Sequence, residues 1–203
     1  MFTGIVTDLG TVRAIEQRGD VRFAIETACD LESIAIGASI ACSGPCLTVV
    51  ARKDRVFFVD VSAETLSRTT IGTWREGTRI NLERSLAMGD ELGGHLVSGH
   101  VDAIGRVTSV EPDGDSTRFS FHAPVSVAAF IAEKGSIAID GVSLTVNGVD
   151  DDADGCTFGV NIIPHTQEVT TFGRLKTGDP VNLEIDMLAR YMERMLQSCH
   201  GRR

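Results

Sequence analysis

The sequence predicts an all-β protein built as two tandem, homologous, six-stranded antiparallel barrels of Greek-key-like order, followed by a C-terminal α-helix. Three observations predict it. Motifs return in the same order after roughly one hundred residues, apolar positions within each copy alternate or form short β-branched runs, and a helical stripe ends the chain.

The repeat sets the domain organisation. Gly44-Pro45-Cys46-Leu47-Thr48-Val49 returns 97 residues later as Gly141-Val142-Ser143-Leu144-Thr145-Val146. Upstream, Thr3-Gly4-Ile5-Val6 with Gly10 and Val12 matches Ser98-Gly99-His100-Val101 with Gly105 and Val107 at an offset of 95. Downstream, Thr65, Gly72, Gly77 and Asn81-Leu82-Glu83 match Thr166, Gly173, Gly178 and Asn182-Leu183-Glu184 at an offset of 101. Small loop insertions account for the drift, and the period is too long for a solenoid. The reading is a duplicated domain: residues 1–94, 95–186, and a helix with tail over 187–203, joined around Gly89 and Gly93-Gly94.

The strands of the first copy are expected at Ile5 to Ile15, Val21 to Ile25, Ser39 to Ala41, Leu47 to Val50, Val56 to Val61 and Arg79 to Leu82. Those of the second are expected at Val97 to Val110, Arg118 to Phe121, Ser136 to Ile139, Leu144 to Val149, Thr157 to Ile163 and Val181 to Ile185. Turn signals such as Gly19-Asp20, Lys53-Asp54 and Asp113-Gly114-Asp115 separate them. Closing each sheet removes its exposed edges, which favours a barrel; a β-sandwich fits the same pattern.

Short helices are expected near Ser62 to Glu64 and near Pro164 to Thr166. The third begins after Asp186, a plausible N-cap, and places Leu188, Tyr191, Met192, Met195 and Leu196 at i, i+3, i+4, i+7 and i+8. That stripe must be covered, either by the barrel or by the same helix of other subunits. The tail from Ser198 to Arg203 is expected to be mobile.

Composition excludes several classes. With 42% hydrophobic and 23% charged residues, this is an ordinary globular chain, and a net charge of −9 repels a phosphate backbone, so no nucleic-acid partner is expected. No signal stretch or long apolar run is present, which leads to the expectation of a cytoplasmic protein without a membrane partner. Five cysteines (Cys29, Cys42, Cys46, Cys156, Cys199) without a C-x-x-C pair suit neither a disulfide framework nor a four-ligand zinc site, so most are read as reduced, buried filler. His95 and His100, five apart in an expected strand, would point to opposite faces, and no third ligand accompanies them; no metal is expected. The run Asp150-Asp151-Asp152-Ala153-Asp154-Gly155 lacks the glutamate of a calcium loop and reads as a hairpin turn.

Four stretches carry a family resemblance: Met1 to Val6, Gly44 to Val49, Gly93-Gly94-His95-Leu96-Val97-Ser98-Gly99-His100-Val101-Asp102, and Asp140 to Val146. Together they resemble the riboflavin synthases of the two-barrel, trimeric type, whose domains bind lumazine. The resemblance covers essentially the whole chain. It implies a cofactor-independent transferase. One 6,7-dimethyl-8-ribityllumazine gives a four-carbon unit to a second, yielding riboflavin and 5-amino-6-(D-ribitylamino)uracil, the last step of riboflavin biosynthesis. It also implies a homotrimer, an association with lumazine synthase, and an active site between the N-terminal barrel of one subunit and the C-terminal barrel of a neighbour.

By the same resemblance, an N-terminal pocket uses Gly4, Ile5 and Val6, Cys46, Leu47 and Thr48, and Asp60, Val61, Ser62, Ala63, Glu64 and Thr65. The C-terminal pocket uses Gly99, His100 and Val101, Lys134, Ser143, Leu144 and Thr145, and Asn161, Ile162, Ile163, Pro164, His165 and Thr166. Phe2 and Asp186 are further candidates. Cys46, His100 and Ser143 are the implied catalytic residues. Cys46 could add to the electrophilic ring carbon or polarise the site, and His100 could carry a proton, whereas His95 is read as bracing the linker. Hydroxyls suit a polyol chain, and strand-edge N–H and C=O groups suit a pyrimidinedione. The departures from the family pattern are Ser43, where Asn is common, Pro45, which needs a bulge or edge, and His165, where Glu is common.

Two other readings compete. A non-catalytic lumazine- or flavin-binding antenna protein would keep the fold but lose one pocket. A flavin barrel of the ferredoxin-reductase type would need a dinucleotide domain, and no G-x-G-x-x-G follows a strand here.

Overall fold

The computed structural model describes residues 1–200. Residues 201–203, the end of the expected tail, and the Cys199 side chain lie outside the described residues. The first copy is a closed barrel of β1 (Asp8–Arg18), β2 (Asp20–Glu26), β3 (Ser39–Cys42), β4 (Cys46–Lys53), β5 (Val56–Val61) and β6 (Arg79–Arg84), neighbouring in the order β1-β2-β5-β4-β3-β6. Every pairing is antiparallel, and the β1–β6 pairing closes the sheet on itself, so the sandwich reading falls for this copy. Helix α1 (Ala63–Arg68) follows β5, its first turn capped by the Ser62 hydroxyl, which accepts from the Thr65 N–H at 3.3 Å.

The second copy repeats this plan with β7 (Ala103–Asp113), β8 (Ser116–Pro124), β9 (Ser136–Ile139), β10 (Val142–Thr145), β11 (Gly148–Asp152), β12 (Gly155–Ile162) and β13 (Pro180–Ile185). Seven strands replace the expected six for a local reason. β4 carries a bulge between Val49 and Ala51, and the matching place falls at Asn147, where the strand divides into β10 on β9 and β11 on β12. A short helix that the sequence pattern does not announce, α2 (Val125–Ala128), follows β8, and α3 (Pro164–Val169) follows β12. The acidic run is the β11–β12 hairpin.

Each barrel has its own core. Phe23 meets Trp74 edge-on at 5.7 Å in the first, and Phe119, Phe121, Phe158 and Phe172 cluster in the second. Burying one such side chain is worth about 1.5–3 kcal/mol, so each copy holds enough apolar mass to fold around itself.

The barrels meet about a local pseudo-twofold relation. The β3–β4 turn, with Ser43 at φ 48° and Gly44 at φ 108°, lies against the β9–β10 turn, with Asp140 at φ 45° and Gly141 at φ 77°. Two-residue hairpins with both central residues at positive φ match the strand twist. Pro45 is the last residue of the first turn, not an interior strand residue: its carbonyl accepts from the Cys42 N–H at 2.9 Å, and only the return bond is lost. Matching asparagines cross the interface. Asn81 donates to the Asp140 carbonyl at 2.9 Å and accepts from the Thr171 N–H at 2.8 Å, while Asn182 donates to the Ser43 carbonyl at 2.7 Å and accepts from the Thr70 N–H at 2.8 Å.

Two strand starts differ from expectation. β1 begins at Asp8 rather than Ile5, and β7 at Ala103 rather than Val97. The residues before them leave the ladder because carboxylates take their N–H groups. Glu83 accepts from the Thr3 N–H and hydroxyl, both at 2.7 Å, and from the Gly4 N–H at 2.9 Å. Glu184 accepts from the Ser98 N–H and hydroxyl, both at 2.6 Å, and from the Gly99 and His100 N–H groups, both at 2.9 Å.

Helix α4 (Met187–His200) closes the chain, with Asp186 as its cap: the carboxylate accepts from the Leu188 N–H at 2.9 Å. Arg190 anchors it to Asp102 at 2.9 Å. The stripe of Leu188, Tyr191, Met192, Met195 and Leu196 does not fold back on the barrel; each residue is more than half exposed.

Candidate active site: two exchanged half-sites

The segments released from the ladders cross over. Residues 2–4 and 97–99 run beside each other, with Phe2 and Val97 exchanging both backbone bonds at 2.8 and 3.0 Å. Beyond that bridge, each segment docks on the opposite barrel. The Gly99 carbonyl accepts from the Cys46 N–H at 2.8 Å, and the Gly4 carbonyl accepts from the Ser143 N–H at 2.8 Å. The sequence reading grouped Gly4, Ile5 and Val6 with the first barrel and Gly99, His100 and Val101 with the second. In the structure Gly4 docks on the second barrel, and Gly99, His100 and Val101 line the cavity of Cys46, while Ile5 stays beside first-barrel residues such as Thr7 and Glu83.

The first half-site is a pocket of about 220 Å³ lined by Pro45, Cys46, Glu64, Thr65, Arg68, Thr69, Gly99, His100 and Val101. β4 supplies Cys46 at its first position, α1 supplies Glu64 and Thr65, and the crossing segment brings His100 to the same cavity. Cys46 is half-buried and carries no disulfide, as are Cys29 and, fully buried, Cys42 and Cys156. Burial drives the Cys42 thiol far above its ordinary range, and Cys46 is the cysteine that lines this pocket.

The second half-site differs in chemistry. The Ser143 hydroxyl lies 2.7 Å from His95 Nδ1, while His95 Nε2 is buried without a partner in the described chain. Burial holds the His95 imidazolium below its ordinary pKa, with Asp186 pulling the other way, so the ring is biased toward neutral and able to accept from or donate to Ser143. His95 thus contacts Ser143 through its ring as well as the linker through its backbone, where its N–H donates to the Thr3 carbonyl at 3.1 Å.

Of the other candidates, Asp60 is held by Arg22 in a two-pronged ion pair at 2.7 Å, and that hydrogen bond keeps its carboxyl below the usual range. Its counterpart Asn161 accepts from Asn147 at 3.2 Å and donates to Asp113 at 2.8 Å. Leu47, Val61, Ile162 and Phe2 are buried in the cores or beneath the crossing. Lys134 is exposed at φ 64°, and Thr48, Thr145, Ile163, Pro164 and His165 are exposed. Neither pair of crossing and receiving residues tolerates a Cβ: one on Gly4 would stand 2.5 Å from Ser143 Cβ, and one on Gly99 would stand 2.5 Å from Cys46 Cβ.

A lumazine binding domain model matches this chain twice, over residues 3–85 and 98–186. The chain belongs to the lumazine-binding domain family. Among curated relatives in this family, the riboflavin synthase of Brucella abortus (strain 2308) is 52% identical across 97% of this chain and 98% of its own length. That of Bacillus subtilis (strain 168) is 37% identical across 98% and 92%. Solved lumazine-binding folds agree: LumP complexed with riboflavin superposes with a TM-score of 0.82 at 27% identity, covering 91% of this chain and 99% of that one. LumP complexed with 6,7-dimethyl-8-(1'-D-ribityl) lumazine gives 0.80 at 26% identity over the same shares.

Proposed function

We infer that the protein is a riboflavin synthase, a transferase that moves a four-carbon unit from one 6,7-dimethyl-8-ribityllumazine to another, giving riboflavin and 5-amino-6-(D-ribitylamino)uracil. The observation that carries this reading over the antenna alternative is that the second half-site is furnished. Ser143 and His95 stand where a binding-only protein could dispense with them, opposite a first half-site with Cys46 and His100.

The chemistry asks mainly for orientation. Two like heterocycles must be held face to face, and fixing reactants in attack geometry can supply about 7–11 kcal/mol, against a factor of roughly 10²–10⁴ from one general acid or base. Cys46 with His100 serves one ring and Ser143 with His95 the other. Crossing-segment and strand-edge backbone groups offer donors and acceptors to the pyrimidinedione, and Thr65 and Thr166 suit the ribityl chains.

Incubating the protein with the lumazine alone should produce riboflavin fluorescence; tight binding with no conversion would instead select the antenna reading. Cys46→Ser and His100→Gln should each lower kcat by about tenfold or more while leaving KM nearly unchanged, as steady-state kinetics will read. A matching rise in KM would reduce both residues to binding contacts.

The two half-sites meet across a subunit contact in this reading, and α4 makes that contact in a homotrimer. Its stripe of five exposed apolar residues is wide enough for a helix seam, and such a face left in water favours association. Replacing Leu188 and Met195 by Asp should give a monomer by light scattering, with unchanged far-UV circular dichroism and no turnover. An active monomer would rule the shared site out. No described helix is long and apolar enough to cross a membrane; a cytoplasmic place follows from the reading rather than from the fold.

A further inference from the structure

Four hydrogen-bond donors converge on one buried carboxylate at Glu184, and three on its counterpart Glu83. Both side chains are almost wholly buried, at 3% and 6% exposure. A carboxylate is an acceptor-only group with about four lone-pair sites, so Glu184 is fully used by the Ser98–His100 backbone and the Ser98 hydroxyl. Nothing else gathers those N–H groups once the segment has left its strand ladder. The carboxylate therefore fixes where the segment goes, and the segment goes to the other barrel.

We propose that Glu83 and Glu184 are positioning residues acting in a crossed sense: Glu184, on β13 of the second barrel, shapes the Cys46 pocket of the first, and Glu83, on β6 of the first barrel, shapes the Ser143–His95 site of the second. The chain of contacts is short in each direction. Glu184 holds the Gly99 and His100 amides, the Gly99 carbonyl takes the Cys46 N–H, and the His100 side chain lines the Cys46 pocket. Glu83 holds the Thr3 and Gly4 amides, and the Gly4 carbonyl takes the Ser143 N–H. The Thr3 carbonyl also receives the His95 N–H at 3.1 Å, which ties the ring partnered with Ser143 to the same carboxylate. Glutamine has nearly the same shape, but its amide turns one acceptor into a donor that faces N–H groups, so the segment must shift.

The proposal rests on reading these two places as the half-sites of one reaction, and its test uses no turnover, so the two can fail separately. With Cys29→Ala and Cys199→Ser as background, the rate of Cys46 alkylation by iodoacetamide reports the first half-site, since Cys42 and Cys156 are buried. The NMR titration of the His95 ring reports the second. Glu184→Gln should change the alkylation rate by about tenfold and leave the His95 titration in place, whereas Glu83→Gln should move the His95 titration and leave the alkylation rate alone.

Effects confined to the barrel that carries the substitution would overturn the proposal, as would equal effects at both places or none. Should a glutamine variant fail to fold, Ser98→Ala and Thr3→Ala each remove one bond to the same carboxylates and carry the same crossed expectation.

Discussion

Gly99→Ala is expected to lower turnover by about a hundredfold, the cost of moving reacting groups by about an ångström. Gly99 sits at φ +79°, where an L side chain is strained, and its Cβ would lie 2.5 Å from Cys46 Cβ, 3.0 Å from Cys46 N and 3.0 Å from Phe2 Cε2. Two of those neighbours are backbone or the first side-chain atom, which cannot swing away. The segment must then retreat from β4, lengthening the 2.8 Å bond between the Gly99 carbonyl and the Cys46 N–H and withdrawing His100 from the pocket. Steady-state assays should show the loss in kcat/KM, with circular dichroism confirming two folded barrels. Activity close to the parent's would mean that the crossing segment is not part of the site.

Asp140→Asn is expected to make the protein progressively more stable than its parent as pH rises from about 4 to 7. Asp140 is buried in the β9–β10 turn, and burial pushes its carboxyl from 3.8 up to about 7, against the pull of the Asn182 N–H donating to it at 2.8 Å. The folded carboxyl thus holds a proton that the unfolded chain releases. Stability is fully present below the unfolded value, falls between 3.8 and about 7, and is flat above, for a total of about 4 kcal/mol. Arg79 and Asp179, of opposite charge, line the same small inter-barrel cleft. Asparagine keeps the acceptor, tolerates the left-handed backbone and does not titrate. Ser43, the repeat partner, shows that a neutral group serves here: its hydroxyl accepts from the Asn81 N–H at 3.0 Å. Thermal melts of both proteins across this range check it, and parallel curves would refute it.

The fold was largely legible because duplication doubles every signal. Each strand expected in one copy is supported by its partner in the other, and the α4 stripe has the period of a helix and no other reading. What stayed hidden is non-local. No periodicity announces that Thr3-Gly4 and Ser98-Gly99 would bond to carboxylates some 80 residues away, since Glu83 and Glu184 look like ordinary strand residues in β6 and β13. The alternation around Ile5 and Val97 was therefore read as strand. The pocket membership came from the family resemblance, which carries no sign that Gly4 docks on Ser143 and Gly99 on Cys46. His95 was missed for a related reason: the five-residue spacing to His100 was judged by strand geometry in a stretch that is not a strand, so the partnership with Ser143 at 2.7 Å had no local signature.

Because both crossing segments are covalently part of one polypeptide, each cavity is finished by a unimolecular event whose yield is indifferent to dilution. In the proposed shared site, only the meeting of one finished cavity with another depends on how crowded the solution is. Lowering the protein concentration should therefore silence chemistry while each chain still takes up its ligands.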